Sequence, residues 1–294
     1  MNEKASLAFA EALRAFAADD LASAAAAAAR AAAADPASRL AREAAAYLAR
    51  VSSEGKANVY MSGEAFGVFI REGGNVPLYQ AVSAALREVY AEYTNASLLE
   101  IGVGDGLALL PALTPSIHRV DLVEPSAALL VGVSEALETR GIPYRAFNGT
   151  IQAFAKSRSG HWDIAQATFS LQSLPPAERP ATLAWLREHA ERLLIAEFDV
   201  PARGEGLDPA RIAHFAERYE QGLAEYDGPD NLVAQGFLMP VFFGYFDPSA
   251  ARTNYEQSIA AWEDDLRAAG FTNVARRHLY DYWWATAYLL DAKP

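Results

Sequence analysis

An acidic residue and three glycines form the stretch best suited to bind a ligand: Glu100, Gly102, Gly104 and Gly106 lie in the pattern ExGxGxG. Glycines let a backbone turn tightly with positive φ and come close to a ligand, because no Cβ stands in the way. The carboxylate of Glu100, two positions before the first glycine, could meet the cationic end of that ligand. The pattern therefore predicts a ligand-binding turn.

The spacing of the glycines separates this turn from two well-known phosphate-binding motifs. A dinucleotide-binding GxGxxG motif that starts at Gly102 would need a glycine at position 107, which is Leu107. A P-loop would need a Lys-Ser/Thr pair after its last glycine, and none follows. A glycine-rich turn that binds no ligand stays open as the alternative when these residues are read alone.

The elements around the turn must hold it at the edge of a sheet. An apolar strand is predicted before it at 98–101 and a helix after it at 107–113. A second strand, 118–124, ends in Glu124, where a carboxylate can accept hydrogen bonds from both hydroxyls of a ribose. Nicotinamide enzymes share this feature, so Glu124 indicates a ribose and no more; a carboxylate on the solvated rim of the sheet is the alternative.

Five strand-like segments alternate with helices from residue 78 onward, and a strand hairpin at 274–290 follows a helix predicted at 255–269. With this order, the ExGxGxG turn, Glu124 and the hairpin resemble the class I S-adenosylmethionine-dependent methyltransferases of the small-molecule type. The resemblance covers residues 78–292, apart from an insertion at about 201–253. It implies an α/β fold, a Rossmann-like seven-strand mixed sheet with helices on both faces and its last strand inserted antiparallel.

The resemblance implies S-adenosyl-L-methionine as the cofactor. Its contacts would come from the glycine-rich turn, the ends of the second and fourth strands, the turn after the third strand and the preceding helix, at Tyr79, Glu100, Gly102, Gly104, Gly106, Glu124, Pro125, Thr150, Ile151, Thr168 and Phe169. At Thr150 the sequence departs from the aspartate that is commoner in the family. A threonine hydroxyl stands there in place of the carboxylate that meets the adenine amine in the family.

Methyl transfer from a sulfonium is a direct displacement, so a protein has mainly to align the reacting atoms and exclude water. The sequence shows no Ser-His-Asp arrangement, no metal-ligand spacing among its five histidines and no cysteine. No metal is expected. His214 is the first candidate base for a hydroxyl or protonated amine, with a structural histidine as the alternative. Glu197 and Asp199, at the end of the fifth strand, are candidates to attract a cationic amine.

Aromatic and polar residues of two segments are candidates to line the substrate pocket. The segment before the core and the aromatic-rich insertion supply most of them, and the full set is Tyr60, Phe69, Asn75, Gln172, Tyr219, Phe243, Tyr245 and Arg252. A long structured insertion is often a functional lid. The insertion's aromatics could equally form an apolar surface against the N-terminal helices or a second subunit.

The N-terminal region is predicted to form a separate helical subdomain. Residues 6–51 are rich in alanine, leucine, arginine and glutamate, with breaks at Asp19-Asp20 and Asp35-Pro36. We divide the chain into residues 1–76, a helical subdomain that covers cofactor and substrate, and residues 77–294, the core with its insertion. The helices are candidates for a homodimer interface; a solvated extension without a specific role is the alternative.

The composition of the chain limits the classes of partner that it is expected to bind. The chain of 294 residues carries a formal charge of −12, which disfavours nucleic acid and anionic membrane surfaces. The alanine-rich run at 24–34 is too short and too weakly apolar to span a bilayer, and a cytoplasmic location is expected. A small-molecule substrate fits this charge.

The sequence therefore predicts a methyltransferase that acts on an N or O atom of a small molecule, in secondary metabolism. Two alternatives stay open. An aminopropyl-transferase-like enzyme would need an acidic base directly after the fourth strand, where Thr168-Phe169 supplies none. A non-catalytic cofactor-binding or interaction protein would use its N-terminal helices for partners.

Overall fold

The protein divides into two compact units, seen in a computed structural model that describes residues 1–56, 62–226 and 231–294. The sheet unit consists of Pro77–Ala202 and Arg252–Pro294, and the helical unit of Met1–Val76 and Arg203–Ala251. None of the helices in the described ranges is both long enough and apolar enough to cross a membrane.

The sheet unit is built on seven strands. In chain order they are β1 (Ala96–Ile101), β2 (Ile117–Glu124), β3 (Tyr144–Asn148), β4 (Ile164–Thr168), β5 (Leu193–Phe198), β6 (Asn273–Asp281) and β7 (Thr286–Lys293). Their order across the sheet is β3-β2-β1-β4-β5-β7-β6. The first five strands pair in parallel, and β7 runs antiparallel between β5 and β6. The predicted seven-strand mixed sheet is confirmed.

Helices cover both faces of this sheet. They are α5 (Asn75–Tyr90), which begins two residues before the unit boundary, α6 (Leu109–Ala112), α7 (Ala127–Thr139), α8 (Ile151–Ser157), α9 (Arg179–His189) and α12 (Ile259–Ala268). All six residues of β1 are buried, as expected for a central parallel strand covered on two sides. On one face, Leu99 and Ile101 share a core with Leu183 of α9 and with Trp262 and Leu266 of α12.

The helical unit contains α1 (Glu3–Ala17), α2 (Leu21–Ala34), α3 (Arg39–Glu54), α4 (Gly63–Phe69), α10 (Pro209–Glu225) and α11 (Met239–Gly244), with one π-helical turn at Ala234–Leu238. The predicted breaks are present. Asp20 caps α2 through Ser23 N, and Ser38 caps α3 through Ala41 N. The short helix α4 was not predicted.

Aromatic side chains of the insertion form the interior of the helical unit. Phe242 lies 5.7 Å from Phe9 of α1, measured between ring centroids. Phe243 stacks on Tyr47 of α3 at 5.0 Å and lies 4.9 Å from Phe16. Of the two uses proposed for these aromatics, packing against the N-terminal helices is the one observed for Phe242 and Phe243.

Two predicted helix boundaries are wrong, each for a local reason. The apolar spacing of residues 77–93 predicts a helix that begins at Pro77, but α5 begins two residues earlier, at Asn75. Proline is tolerated in this first turn because its missing N–H would have no partner within the helix. Helix α12 begins at Ile259 rather than at residue 255. The backbone of Tyr255 is committed elsewhere, since its N–H donates to Gln172 O at 2.7 Å.

Candidate functional site

The glycine-rich turn follows β1 directly, and its three glycines have different surroundings. All have positive φ, with values of 68° at Gly102, 57° at Gly104 and 78° at Gly106. A Cβ on Gly102 would lie 2.5 Å from Ser170 Cβ, and one on Gly106 would lie 2.9 Å from the Leu110 side chain, so both are needed for packing. A Cβ on Gly104 would meet nothing within 4 Å. Only Gly104 therefore faces open space.

The carboxylate of Glu124 joins the end of β2 to this turn. Glu124 is 7 % exposed, and its Oε2 accepts a hydrogen bond from Gly104 N at 3.0 Å. Its Oε1 accepts one from Ser126 N at 2.8 Å, and Ser126 in turn caps α7. A carboxylate offers about four lone-pair positions, so two bonds leave capacity for further donors. Pro125, between them, is exposed, and its carbonyl accepts a hydrogen bond from Asn148 Nδ2 at 2.9 Å.

The turn after β3 is occupied by a helix cap. The side chain of Thr150 caps α8 by accepting a hydrogen bond from Ala153 N at 3.3 Å. Ile151 is buried in the core on the α9 and α12 face. The Thr150 hydroxyl thus has a structural partner, although its proton stays free to be donated.

The end of β4 carries an unusual backbone conformation. Phe169 has φ 51°, in the left-handed region that bulky residues rarely adopt. Its ring stacks on Phe198 at 4.5 Å and lies edge-on to Tyr79 at 6.1 Å. Beside it, Thr168 Oγ1 is buried and has no hydrogen-bond partner among the described residues.

Glu100 lies in the interior rather than at the turn, so its predicted contact with a ligand's cationic end does not fit the structure. The residue is 1 % exposed, and its Oε2 accepts a hydrogen bond from Gln166 Nε2 at 2.6 Å. Gln166 Oε1 accepts one from Tyr90 Oη at 2.5 Å. Burial raises the pKa of Glu100 well above its usual range. The physical reason is strand alternation: Leu99 and Ile101 face one covered side of the sheet and Glu100 the other.

The three candidate catalytic residues lie in different settings. Glu197, in β5, is 1 % exposed and accepts a hydrogen bond from Gln172 N at 3.1 Å; burial, reinforced by Glu256, raises its pKa to about 8. Asp199 Oδ1 accepts a hydrogen bond from Ile259 N at 2.9 Å and so holds the start of α12. His214 belongs to α10 of the helical unit, where burial and then two arginines lower its pKa.

Of the predicted substrate residues, five lie in the helical unit. Asn75 is buried, and its Nδ2 donates to Phe69 O and to Tyr226 Oη, both at 2.9 Å. The rings of the other four lie in aromatic clusters: Phe69 with Phe237, Tyr219 with Phe242, Phe243 with Tyr47 and Tyr245 with Phe215. Tyr60 lies outside the described residues.

The two others lie in the sheet unit. Gln172 follows β4 in a short 3-10 turn, Leu171–Ser173. Arg252 is exposed; its Nε donates to Asn254 O at 2.9 Å, and its guanidinium lies 4.9 Å above the Tyr255 ring. The structure therefore brings Gly102, Gly104 and Glu124 together, with Phe169 near Tyr79.

Two further residues shape this edge of the sheet. Ser170 Oγ donates to Ile101 O at 2.7 Å and so joins the loop after β4 to the end of β1. Arg179 is only 2 % exposed and donates to Leu174 O, Gln257 Oε1 and Tyr255 O. The sequence signal at Arg179 was only the Arg-Pro pair at a helix start.

Comparison with known proteins identifies the fold. No family model and no curated protein matches the sequence. Among solved structures, magnesium protoporphyrin IX methyltransferase from Synechocystis, crystallised with bound S-adenosylhomocysteine (SAH), matches with a TM-score of 0.51 at 16% identity, over 78% of this chain and 92% of that chain. The chain has the class I methyltransferase fold.

Two further solved structures are similar over shorter parts of their length. A putative O-methyltransferase from Nostoc punctiforme matches with a TM-score of 0.48 at 14% identity, over 72% of this chain and 55% of its own. The mitomycin 7-O-methyltransferase matches with a TM-score of 0.48 at 15% identity, over 88% of this chain and 58% of its own. The chain thus spans little more than half the length of these two proteins. Identity this low establishes the fold alone.

Proposed function

We propose that this protein transfers a methyl group from S-adenosyl-L-methionine to an N or O atom of a small molecule. One observation carries the proposal: at the carboxyl ends of β1 and β2, Gly104 leaves open space directly beside a buried carboxylate that already binds its N–H. Open α/β sheets bind their ligands at this edge. The fold and the site geometry support the same assignment.

The residues at this edge fit the chemical groups of the cofactor. Glu124 keeps lone pairs for two ribose hydroxyls. Gly104 lets the backbone approach without a side chain between. Thr168 Oγ1, which lacks a partner among the described residues, would accept a hydrogen bond from the amino group of the methionine part. The hydrogen-bond acceptors of Glu124 and Thr168 suit a ligand that carries hydroxyls, an ammonium group and a sulfonium.

When bound, S-adenosylmethionine supplies an activated methyl group, and the acceptor only has to reach it in line. Holding two reactants in such a geometry can lower the barrier by about 7–11 kcal/mol. Phe169, fixed by its stack on Phe198 and its contact with Tyr79, would exclude water from the edge. Among the described residues no group of three or more metal-ligating side chains is placed to hold an ion.

The roles of the acid–base candidates remain part of the proposal. Glu197, with its pKa raised to about 8, would carry a proton through much of the neutral range and so suits an exchange of protons better than a fixed negative charge. The side chain of Asp199 already accepts a hydrogen bond from the start of α12. His214 stays the first candidate if a base assists transfer. The homodimer, the cytoplasmic location and the role in secondary metabolism stay predictions from the sequence.

Two measurements test the function. Isothermal titration of the full chain with S-adenosylmethionine, SAH and NADH should give binding of the first two and none of the third. A panel of small hydroxyl and amine compounds should then give a methylated product together with SAH. Binding without product from the panel would favour the cofactor-binding or interaction protein. NADH binding in place of S-adenosylmethionine would overturn the proposal.

A further inference from the structure

The loop between β4 and α9, residues 169–178, is held in one conformation from both neighbouring strands. Phe169 N donates to Ala196 O of β5 at 2.9 Å, and Ser170 Oγ donates to Ile101 O of β1 at 2.7 Å. The left-handed conformation of Phe169 is a strained state that persists only where its surroundings enforce it. Such strain occurs most often at ligand-binding sites, so the loop is the first place to look for substrate contacts.

Gln172 is fixed at three of its polar groups. Its backbone N–H donates to Glu197 Oε1 at 3.1 Å, and its carbonyl accepts a hydrogen bond from Tyr255 N at 2.7 Å. Its side-chain Nε2 donates to Phe169 O at 3.1 Å, which also fixes the orientation of the amide plane. Little conformational freedom remains, so the position of its side-chain oxygen is set in advance.

Arg179 binds the loop after β4 to the segment before α12, whose residue Tyr255 contacts Gln172. Its guanidinium donates to Leu174 O at 3.2 Å, to Gln257 Oε1 at 2.6 Å and to Tyr255 O, and it lies 4.4 Å above the Trp262 ring. Each of these groups is part of the loop after β4, the segment before α12 or α12 itself. Arg179 therefore acts as a positioning residue for Gln172, through Tyr255.

The one polar atom of Gln172 left over is Oε1. It is buried and has no hydrogen-bond partner within residues 1–56, 62–226 and 231–294. An acceptor in this state is costly, because it has lost water and gained no donor. Native proteins keep few such groups, and each calls for an explanation such as a ligand. A ligand that brings an N–H or O–H to this oxygen would remove the cost.

The groups around the loop disfavour an anionic ligand group there. Burial and then the negative charge of Glu256 raise the pKa of Glu197, whose carboxyl accepts a hydrogen bond from Gln172 N, so Glu256 is the anion that such a group would meet. The nearby cation Arg179 already donates one hydrogen bond from each of its three nitrogens, to Leu174 O, Tyr255 O and Gln257 Oε1. The oxygens of a ligand carboxylate would also repel Gln172 Oε1, because neither group has a hydrogen to donate.

We propose that Gln172 binds the methyl acceptor, with Oε1 accepting a hydrogen bond from the very hydroxyl or amine N–H that is methylated. The acceptor is then a neutral alcohol, phenol or amine and not a carboxylate. This inference rests on the proposed function. The acceptor's lone pair forms the bond to the methyl carbon, and the carbon–sulfur pair goes to sulfur. The acceptor's proton goes to water, because an amide carbonyl is too weak a base to keep it.

The test uses four probes that share one ring, chosen because aromatic side chains surround the loop. The full chain, saturated with SAH, is titrated with p-cresol, p-toluidine, p-toluate and toluene. The first two should bind about tenfold more tightly than the last two, which is the worth of one well-placed hydrogen bond. In Gln172→Met, which keeps the side-chain length, this preference should disappear. Gln172→Asn, which withdraws the oxygen, should reduce it.

Gln221→Met, at an exposed position of α10, is the matched control and should keep the preference. SAH binding to each variant shows that it is folded. Failure of the unchanged chain to bind SAH would overturn the proposed function. SAH binding with p-toluate as tight as p-cresol, or with a preference that survives in Gln172→Met, would overturn this inference alone.

Discussion

The carboxylate of Glu124 accepts a hydrogen bond from the backbone N–H of Gly104 at 3.0 Å, and this bond joins the end of β2 to the glycine-rich turn after β1. The contact places a negative charge beside the one glycine of the turn that faces open space. Its donor is a backbone group, so the arrangement does not depend on any side chain of the turn. The carboxylate of Glu124 is therefore held in place as a hydrogen-bond acceptor at this edge of the sheet.

Replacing Glu124 by alanine should weaken the binding of S-adenosylmethionine by about 1–3 kcal/mol, because the ribose hydroxyls lose their acceptor. The N–H groups of Gly104 and Ser126 lose a partner as well. Titration calorimetry measures the effect, with Glu135→Ala on the exposed side of α7 as the control. Equal affinities of both variants would rule out a ribose contact at Glu124.

Replacing Gly104 by alanine should abolish or strongly weaken cofactor binding while the chain still folds. The new Cβ has room, but it occupies the space through which a ligand would approach. The positive φ of 57° costs about 1 kcal/mol for a residue with a side chain.

Gly141→Ala is the matched control for that variant. Gly141 has φ 65°, and its Cβ would also meet nothing within 4 Å. Both variants should therefore lose a similar free energy of unfolding in urea, and only Gly104→Ala should lose binding. If the two variants bound the cofactor equally well, the turn would not be the cofactor site.

Glu197 should make the protein less stable as the pH rises. Its pKa is raised from 4.5 to about 8 in the folded chain, so the folded state holds a proton that the unfolded state has released. The contribution of this proton to the free energy of unfolding is fully present below pH 4.5 and is lost as the pH rises to about 8. In Glu197→Gln, the free energy of unfolding should depend less on pH over that window. Glu191→Gln, an exposed position just before the same strand, should behave like the unchanged chain; parallel pH profiles for all three would refute the prediction.

Glu220 should stabilise the helical unit through the start of α3. Its carboxylate accepts hydrogen bonds from Ser38 Oγ at 2.7 Å, Arg39 N at 2.7 Å and Leu40 N at 3.1 Å. Negative charge at a helix N-terminus is favourable, and the loss of these bonds in Glu220→Ala should cost about 1–3 kcal/mol. Urea unfolding followed by circular dichroism measures it. Glu217→Ala, on an exposed position of the same helix, should cost far less, and an equal loss would contradict the capping role.

The sheet and the residues gathered at the carboxyl ends of β1 and β2 were predictable because they depend on local patterns. Short apolar runs gave the strands, the glycine spacing gave the turn, and Glu124 was recognised from its place at the end of β2. Two strand ends that meet at one edge of a parallel sheet bring their residues together whatever the details of packing.

The remaining features depend on contacts between distant parts of the chain. Glu100 faces Gln166 because β1 pairs with β4, 66 residues away along the chain, and sequence spacing alone does not show which covered face a strand residue takes. The start of α12 depends on Tyr255 binding Gln172 O. Strand alternation could have indicated that Glu100 is buried, since a central parallel strand is covered on both sides.

The helical unit is assembled from two stretches of chain, Met1–Val76 and Arg203–Ala251, and this has a consequence for synthesis. Phe9, Phe16 and Tyr47 leave the ribosome long before the rings of Phe242 and Phe243 that pack on them. The apolar faces of α1 and α3 therefore stay uncovered while β1 to β5 are translated. Until residues 203–251 have been made, these faces offer chaperones a binding surface on the nascent chain.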